Sequence, residues 1–300
     1  MSFRLIKVGG NGVRLGQIKD KSTPRFFMIN NFGGGGTNVS RFFVYSSLFA
    51  AGKSEILLNY YYLNTKFTKT PAFNTDLLED ILSFDSIRNF LEHVRRNLIE
   101  VKRNCLEGTR YQPMKWNPIV LVDSGSGNIF RDVSPRLNKS NFEDIFLSEV
   151  KDYINFCEIL KFDAAIGLDI AGKYTWKKGE TADRDYLIKL KTFSKFKWNL
   201  IVNKLFLLEI PEKSVVDYYA AIHGDSPIDY LHYLNLVLSL EKKLDRKYSG
   251  FAIGGMGNMP RDSIYETIKL IRNRLNELHD DRPIHILGVG AVQNLSLIHI

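Results

Sequence analysis

The sequence predicts an α/β fold in which short buried strands alternate with amphipathic helices. Two observations carry this prediction: the strand-like runs are almost continuously apolar, and the segments between them have helical spacing. Strands that are buried on both faces of a parallel sheet show no polar alternation, and these runs show none. No Pro- or Ser-rich linker separates two halves, so we expect a single domain, 1–300.

Seven strands are predicted, which is one fewer than a (β/α)8 barrel contains. They lie at 25–30, 55–63, 118–123, 162–169, 217–224, 250–255 and 284–290. Apolar stripes with helical spacing cover 87–101, 142–160, 228–244 and 264–278. Ser140 and Glu143 predict a capping box for the second of these helices, and Ser226–Pro227 predicts the start of the third.

The composition narrows the class of protein. The chain is 44% hydrophobic and 25% charged, which is typical of a soluble globular protein. Cys105 and Cys157 are its two cysteines, and without CxxC spacing they argue against a disulfide scaffold and a cysteine metal motif. No apolar run approaches the length of a membrane span, so we expect a cytoplasmic protein without a membrane partner. The net charge of +8 weakly favours a polyanionic partner.

Polar and small residues recur where the predicted strands end. Asp123, Asp169, His223, Gly254–Gly255 and the glycines at 288 and 290 all lie at such ends. In a barrel or a doubly wound sheet these ends share the edge that binds ligands. A turn or a helix cap is the ordinary role for any single one of these residues. Their recurrence at one edge predicts a site.

The segment 173–204 combines basic and aromatic side chains. Lys177, Lys178, Lys195 and Lys197 are interleaved there with Tyr, Trp and Phe residues. Basic groups that follow phosphates, with aromatic rings for stacking, suit a single-stranded or looped nucleic acid. The alternative is a solvated helix with an aromatic inner face, and the sequence leaves both interpretations open.

Seven motifs between residues 23 and 290 resemble, in order, those of the tRNA-guanine transglycosylase family, including its archaeal and DNA-modifying relatives. They are TPRFFMINNFGGGGTN, LLNYYYL, DSGSGN, GLDIAGKYT, AIHGD, FAIGGMG and IHILGVG. The resemblance implies a (β/α)8 TIM barrel that exchanges a guanine in tRNA or DNA for a 7-deazaguanine base. It also implies that an enzyme carboxylate attacks the sugar and forms a covalent glycosyl-enzyme, as in retaining glycosidases.

The resemblance also implies roles for individual residues. Asp123 is the catalytic carboxylate beneath the base, in a proton-transfer or orienting role. Asp169 accepts hydrogen bonds from the ring N–H and the exocyclic amine of guanine. Ser124 keeps the pocket floor low, and Leu287 packs against one face of the base. His223 and the backbone N–H of Gly255 donate to the base carbonyl, and Gly254, next to them, is also a substrate-binding residue.

Several departures from the family pattern accompany this resemblance. Gly127–Asn128 replaces an aromatic residue and a glutamine, His223 replaces a glutamine, and a cysteine of the fourth motif is absent. These differences indicate a divergent branch, and they leave both DNA and tRNA open as the acceptor. The family's nucleophilic aspartate and its zinc ligands follow the GVG motif, so we expect a barrel truncated after strand 7, without the zinc-binding part and without a cofactor or metal of its own. Such a chain is expected to be poorly stable and inactive in base exchange.

Two other functions stay open at this point. The first is a non-catalytic nucleic-acid-binding partner subunit with the same fold. A homodimer and a heterodimer both stay open as the assembly. The second is an unrelated barrel that binds phosphate with the glycines of strands six and seven, although the presence of both Asp123 and Asp169 counts against it.

Overall fold

A computed structural model describes residues 3–8, 14–18, 21–22, 27–29, 55–64, 81–93, 117–137, 140–170 and 195–288 of the protein. Near the N-terminus, three strands form a small antiparallel sheet: β1 (Phe3–Val8), β2 (Arg14–Ile18) and β3 (Lys21–Ser22). Seven further strands form one parallel sheet: β4 (Phe27–Ile29), β5 (Glu55–Asn59), β6 (Val120–Asp123), β7 (Ala164–Ile166), β8 (Asp217–Ile222), β9 (Gly250–Ile253) and β10 (Ile284–Ile286).

The parallel sheet curls into a half-barrel. Its strands lie side by side in chain order from β4 to β10, and every neighbouring pair is parallel. The two outermost strands lie close together. The rings of Phe27 on β4 and His285 on β10 contact each other edge to face, with centroids 5.5 Å apart. Within the described residues no backbone pairing joins β4 to β10. The architecture is therefore an α/β half-barrel of parallel strands.

Helices connect the strands. They are α1 (Tyr60–Leu63), α2 (87–93), α3 (Ser126–Val133), α4 (Phe142–Leu160), α5 (Lys195–Glu209), α6 (Pro227–Leu244) and α7 (Arg261–Glu277). Short 3-10 turns lie at Ile81–Ser83, Ser134–Arg136 and Met256–Asn258. None of the helices in the described part of the chain is long and apolar enough to cross a membrane.

The apolar core has two layers, one on each face of the curled sheet. The larger layer lies between the sheet and the helices and is rich in aromatic rings. Phe206 of α5 contacts Tyr153 of α4, Tyr218 of β8 and Tyr248, with centroids 5.6 to 6.3 Å apart. Large rings fill the wide space between the sheet and the helices, and they contribute much of the apolar surface area that folding removes from water.

The smaller layer fills the inside of the curl. It consists of Leu57, Ile119, Leu121, Ala164, Ile166, Tyr219, Ala221 and Ala252, with Phe27 and Leu287 packed against it. These residues alternate along their strands with residues of the outer layer, as the pleat of a strand requires. His285 lies on the same inward face, and burial lowers its pKa to about 4, so its imidazole is neutral at pH 7.

At the N-terminal ends of the strands, two buried carboxylates tie neighbouring elements together. Glu55 accepts a hydrogen bond from the backbone N–H of Ile119 at 2.5 Å and pairs with Lys21 at 2.7 Å. Asp163 accepts from the backbone N–H of Val120 at 2.8 Å and pairs with Arg88. Because each bonds the start of a neighbouring strand, these carboxylates fix the sheet and are not candidates for chemistry.

The structure confirms the positions of all seven predicted strands. Among the described residues, β7 covers only Ala164–Ile166 of the predicted 162–169, and β5 ends at Asn59 and not at Leu63. The Asn59 side chain accepts a hydrogen bond from the backbone N–H of Tyr61 at 3.1 Å, and this cap starts α1 in the middle of the apolar run. Local capping therefore overrides the β propensity of the three tyrosines that follow.

The helix predictions have mixed outcomes. The predicted start of α6 is confirmed, because Ser226 is the N-cap and its side chain accepts from the backbone N–H of Asp229. The capping box at α4 is wrong, since Asn141 is the N-cap and makes no side-chain cap bond. The predicted helix at 87–101 is helical through residue 93, and the rest of it lies outside the described residues. The antiparallel sheet β1–β3 was not predicted.

Candidate functional site

The candidate site lies at the C-terminal edge of the half-barrel, where β6 ends in a carboxylate. Asp123 stands opposite Asn59 in the parallel register of β5 and β6. The Asn59 amide donates to the Asp123 carboxylate at 3.1 Å, and the backbone N–H groups of Ser124 and Gly125 donate to it as well. The apolar strand thus ends on an acid that has polar partners at this edge.

The turn after Asp123 needs a residue without a side chain. Gly125 has φ +68°, in the left-handed region that favours glycine. A Cβ atom at this position would lie 2.4 Å from Oδ1 of Asn59 and 2.7 Å from Cβ of Tyr61. Gly125 therefore allows the start of α3 to approach the end of β5, which brings Asn59 against Asp123.

The Asp123 carboxyl titrates close to neutral pH. Burial raises its pKa, and the charge of Asp169 raises it further, from an ordinary value of 3.8 to about 6. The donated hydrogen bonds and the charge of His223 act in the opposite direction but do not offset this rise. A carboxyl with such a pKa exchanges protons readily in both directions at neutral pH, as a general acid or base must.

Asp123→Asn should stabilise the protein at pH 8. The pKa of the Asp123 carboxyl is about 6 in the folded protein and 3.8 in the unfolded chain. The native state therefore loses stability as the pH rises through this interval. At pH 8 the charged carboxylate costs the native state up to about 3 kcal/mol, which the neutral amide avoids. Urea unfolding of both proteins at pH 8 and at pH 4 measures this difference, which should shrink at pH 4. A variant that is less stable than the parent at pH 8 would contradict the assignment.

Asp169 has the opposite electrostatic environment. It lies three residues beyond β7 and is 8% exposed. Burial alone would raise its pKa, but the charge and hydrogen bond of His223, together with a hydrogen bond from Ser126, lower it below the usual value. The site thus holds two neighbouring carboxyls, of which one stays ionised and the other can carry a proton. Such a difference in pKa is what distinguishes an acid from a base in a catalytic pair.

His223 completes this arrangement from β8. Its Nε2 pairs with the Asp169 carboxylate, and its ring lies directly over Gly254. A Cβ at Gly254 would lie 2.4 Å from Cε1 of the imidazole, so only glycine leaves room for the ring. Tyr230 of α6 holds the same turn by donating to the Gly254 carbonyl at 2.6 Å. Gly255 follows at φ +78° and is exposed at the opening.

Buried side chains hold the strand ends in place. The Tyr153 hydroxyl lies 3.1 Å from the carbonyl oxygen of Val122 and 3.0 Å from that of Ile166, and so joins the ends of β6 and β7. Asn199 of α5 accepts from the backbone N–H of Ile170 at 2.5 Å and donates to its carbonyl at 3.0 Å. These bonds fix the backbone on either side of Asp169.

The structure brings most of the predicted site residues to one place. Asp123, Asp169, His223, Gly254 and Gly255 lie at the same edge, within reach of one ligand. Leu287, just after β10, packs against the inner apolar layer, also at this edge. Ser124 is fully buried, and its hydroxyl bonds that of Ser126 at 2.5 Å, so it lies beneath the opening and supports it.

The basic aromatic segment is described only in its last part. Lys177 and Lys178 lie outside the described residues. Residue 195 begins α5, and Lys197 is exposed on that helix. The two aromatic rings next to it pack into the protein and are not available to stack on bases: Phe196 stacks on Tyr233 and Trp198 contacts Phe142, with centroids 5.4 and 4.0 Å apart. For 195–204 the alternative of a helix with an aromatic inner face is therefore confirmed.

Sequence reasoning missed three residues that shape the site: Asn59, Ser126 and Asn199. Asn59 had a signal, since it is a polar residue that interrupts a predicted apolar run. Ser126 had the weaker signal of a second serine two residues after Ser124. Asn199 had none, because a polar residue on a helix is ordinarily exposed, whereas here it is fully buried.

Comparisons with known proteins leave the family open. No protein-family model matches the chain, and a search of curated proteins finds no match to it. Within the described residues, no group of three or more His, Cys, Asp or Glu side chains is placed to hold a metal ion.

Proposed function

We propose that the chain is the base-binding part of a base-exchanging glycosyltransferase, which replaces guanine in tRNA or DNA with a 7-deazaguanine base. In this proposal the half-barrel belongs to a (β/α)8 barrel of the transglycosylase type. The observation that carries it is the pair of neighbouring carboxyls, Asp123 and Asp169, with opposite pKa shifts at the C-terminal edge of the sheet. The seven motifs in family order support the same function.

Asp169 is the base-recognition group of this proposal. An ionised carboxylate accepts from the ring N–H of a 6-oxopurine, and such charge-assisted bonds are strong in a buried site. Adenine presents a bare ring nitrogen at the same position, which would repel the carboxylate. Gly255 supplies its backbone N–H to the base carbonyl, and Leu287 covers one base face.

Asp123 is the proton-transfer group. Displacement of guanine from the sugar leaves negative charge on the departing base, which is neutralised when the base takes up a proton, and the incoming base must lose one. A carboxyl with a pKa of about 6 can give the first proton and accept the second. The resemblance assigns the attack on the sugar to a carboxylate beyond the GVG motif, and neither Asp123 nor Asp169 is given that role.

The polynucleotide binds across the same edge in this proposal. Lys197 is exposed on α5, the helix whose inner face carries Asn199. A cation at this position would contact the phosphates on either side of the target nucleotide. Lys177, Lys178 and Lys195 are the other lysines proposed for this contact.

The test is calorimetric titration of the whole protein with two matched bases, 7-deazaguanine and 7-deazaadenine. We expect 7-deazaguanine to bind at least ~10-fold more tightly, because only its edge donates to Asp169. Equal affinities, or no binding of 7-deazaguanine, would contradict the proposed function. Incorporation of labelled guanine into tRNA or DNA would exclude the non-catalytic partner subunit.

A further inference from the structure

The backbone around Asp169 is held from two helices. The N–H of Asp169 donates to the hydroxyl of Ser126 on α3 at 2.9 Å. Asn199 of α5 bonds both backbone groups of Ile170, the next residue, at 2.5 and 3.0 Å. These bonds fix the chain beyond the end of β7, whereas the direction of the Asp169 carboxylate depends on the contacts of its own side chain.

His223 holds that carboxylate from the end of β8, the strand next to β7. Its Nε2 pairs with Oδ2 of Asp169, and both side chains are 11% exposed. The imidazole lies directly on the backbone of Gly254, where a Cβ would be 2.4 Å from Cε1 and 3.0 Å from Nε2. Tyr230 in turn holds that backbone, because its hydroxyl donates to the Gly254 carbonyl at 2.6 Å. The partner of Asp169 is therefore itself fixed in place.

From this geometry we infer that His223 is a positioning residue, which acts on the base through Asp169 and does not donate to the base carbonyl. This inference rests on the proposed function and specifies how its site selects the substrate. At pH 8 an imidazole ordinarily carries a single N–H. Because an ionised carboxylate only accepts hydrogen bonds, that N–H lies on Nε2, and Nδ1 has none to give to a base. The backbone N–H of Gly255 remains as the donor to the base carbonyl.

The orientation of Asp169 matters only for bases that donate to it. A carboxylate that is held in place before the base arrives loses little conformational freedom on binding, which favours affinity. 7-Deazaadenine has no ring N–H at that position and gains nothing from an oriented Asp169. Loss of the imidazole should therefore lower the preference for 7-deazaguanine, whereas loss of a residue that only stabilises the fold would weaken both bases alike.

The experiment compares three substitutions of His223 by calorimetry of the whole protein at pH 8, with 7-deazaguanine and 7-deazaadenine. In His223→Gln the amide nitrogen lies near the position of Nε2, and in His223→Asn it lies near that of Nδ1. His223→Gln should keep the preference of the parent for 7-deazaguanine within ~3-fold, whereas His223→Asn and His223→Ala should lower it by ~5-fold or more. His232→Ala, a change of an exposed histidine on α6, is the matched control and should keep the parent preference.

A double-mutant cycle tests whether His223 acts through Asp169. In the Asp169→Ala background, His223→Ala should change the affinity for 7-deazaguanine by less than ~2-fold, because the carboxylate that it orients is gone. A direct donor to the base would instead cost the same factor in both backgrounds. The ¹⁵N NMR resonances of the His223 imidazole give a measurement that needs no variant. In the parent at pH 8, Nδ1 should carry no proton with or without 7-deazaguanine.

The outcomes separate this inference from the proposed function. If 7-deazaguanine does not bind the parent, the proposed function fails and the inference fails with it. If the base binds but His223→Asn keeps the preference that His223→Gln loses, only the inference is overturned. Additive losses in the double-mutant cycle, or a proton on Nδ1 in the complex, overturn it in the same way. The NMR result decides the question even if the variants do not fold.

Discussion

Asp169→Ala should weaken the binding of 7-deazaguanine by ~30-fold or more. A charge-assisted hydrogen bond in a buried site contributes about 2 kcal/mol, and the alanine variant loses it entirely. The loss extends to His223, whose Nε2 would then lack its carboxylate partner. Calorimetric titration of parent and variant with the free base measures the change. Circular dichroism melting of both proteins verifies that the variant is folded.

The matched control for Asp169 is a carboxylate away from the site. Glu212 is exposed in the turn that precedes β8, at the opposite edge of the sheet from Asp169. Glu212→Ala removes the same charge from the protein and should leave base affinity unchanged. Equal affinities of the parent and a folded Asp169→Ala variant would remove Asp169 from the base pocket.

Arg282→Ala should destabilise the protein by about 3 to 5 kcal/mol, because it leaves a buried carboxylate without its cation. Arg282 makes a bidentate pair with Glu241, at 2.6 and 2.9 Å, and the Glu241 side chain is only 2% exposed. Arg282 also pairs with Asp280 at 2.6 Å and lies over the ring of Phe251 at 4.4 Å. It thus joins α6 and β9 to the segment that leads into β10.

Urea unfolding measures this loss of stability, and a surface ion pair provides the control. Lys151 and Glu209 are 3.9 Å apart, and the Lys151 side chain is 55% exposed. Lys151→Ala should cost less than about 1 kcal/mol, as solvent-exposed pairs do. A similar, small cost for both substitutions would show that the Arg282 cluster does not fix β10.

The sequence was sufficient to predict the strands of the parallel sheet because burial on both faces leaves a continuous apolar run. Val120 to Val122 and Phe251 to Ile253 are such runs, and both are strands. The small antiparallel sheet near the N-terminus was missed. Its strands are short and mix charged with apolar residues, as in Arg4 and Lys7 of β1, so no clear period marks them.

The shared edge of the site residues was predictable, but their contacts were not. Parallel strands place Asp123, Asp169 and His223 at one edge whatever their side chains do. The pairing of His223 with Asp169 depends on the space above Gly254, which a sequence does not display. The lowered pKa of the Asp169 carboxyl likewise depends on Ser126, which lies in the first turn of α3.

The basic aromatic segment has a composition that fits either base stacking or packing into the protein core. Aromatic residues between lysines suggested base stacking, yet Phe196 and Trp198 lie on the inner face of α5 and pack against Tyr233 and Phe142. On an amphipathic helix, lysines on one face are hydrated by solvent while aromatic rings on the other face pack into the core. The exposure of Lys197, and not the aromatic content of α5, is what supports a role in phosphate binding.

The most direct test of the central claim is a crystal structure of the protein with 7-deazaguanine bound. The base should lie at the C-terminal edge of the parallel sheet. Its ring N–H should lie within hydrogen-bonding distance of the Asp169 carboxylate, and its carbonyl should face the backbone N–H of Gly255. Leu287 should contact one face of the base. A base bound elsewhere, or one whose ring N–H points away from Asp169, would contradict the account.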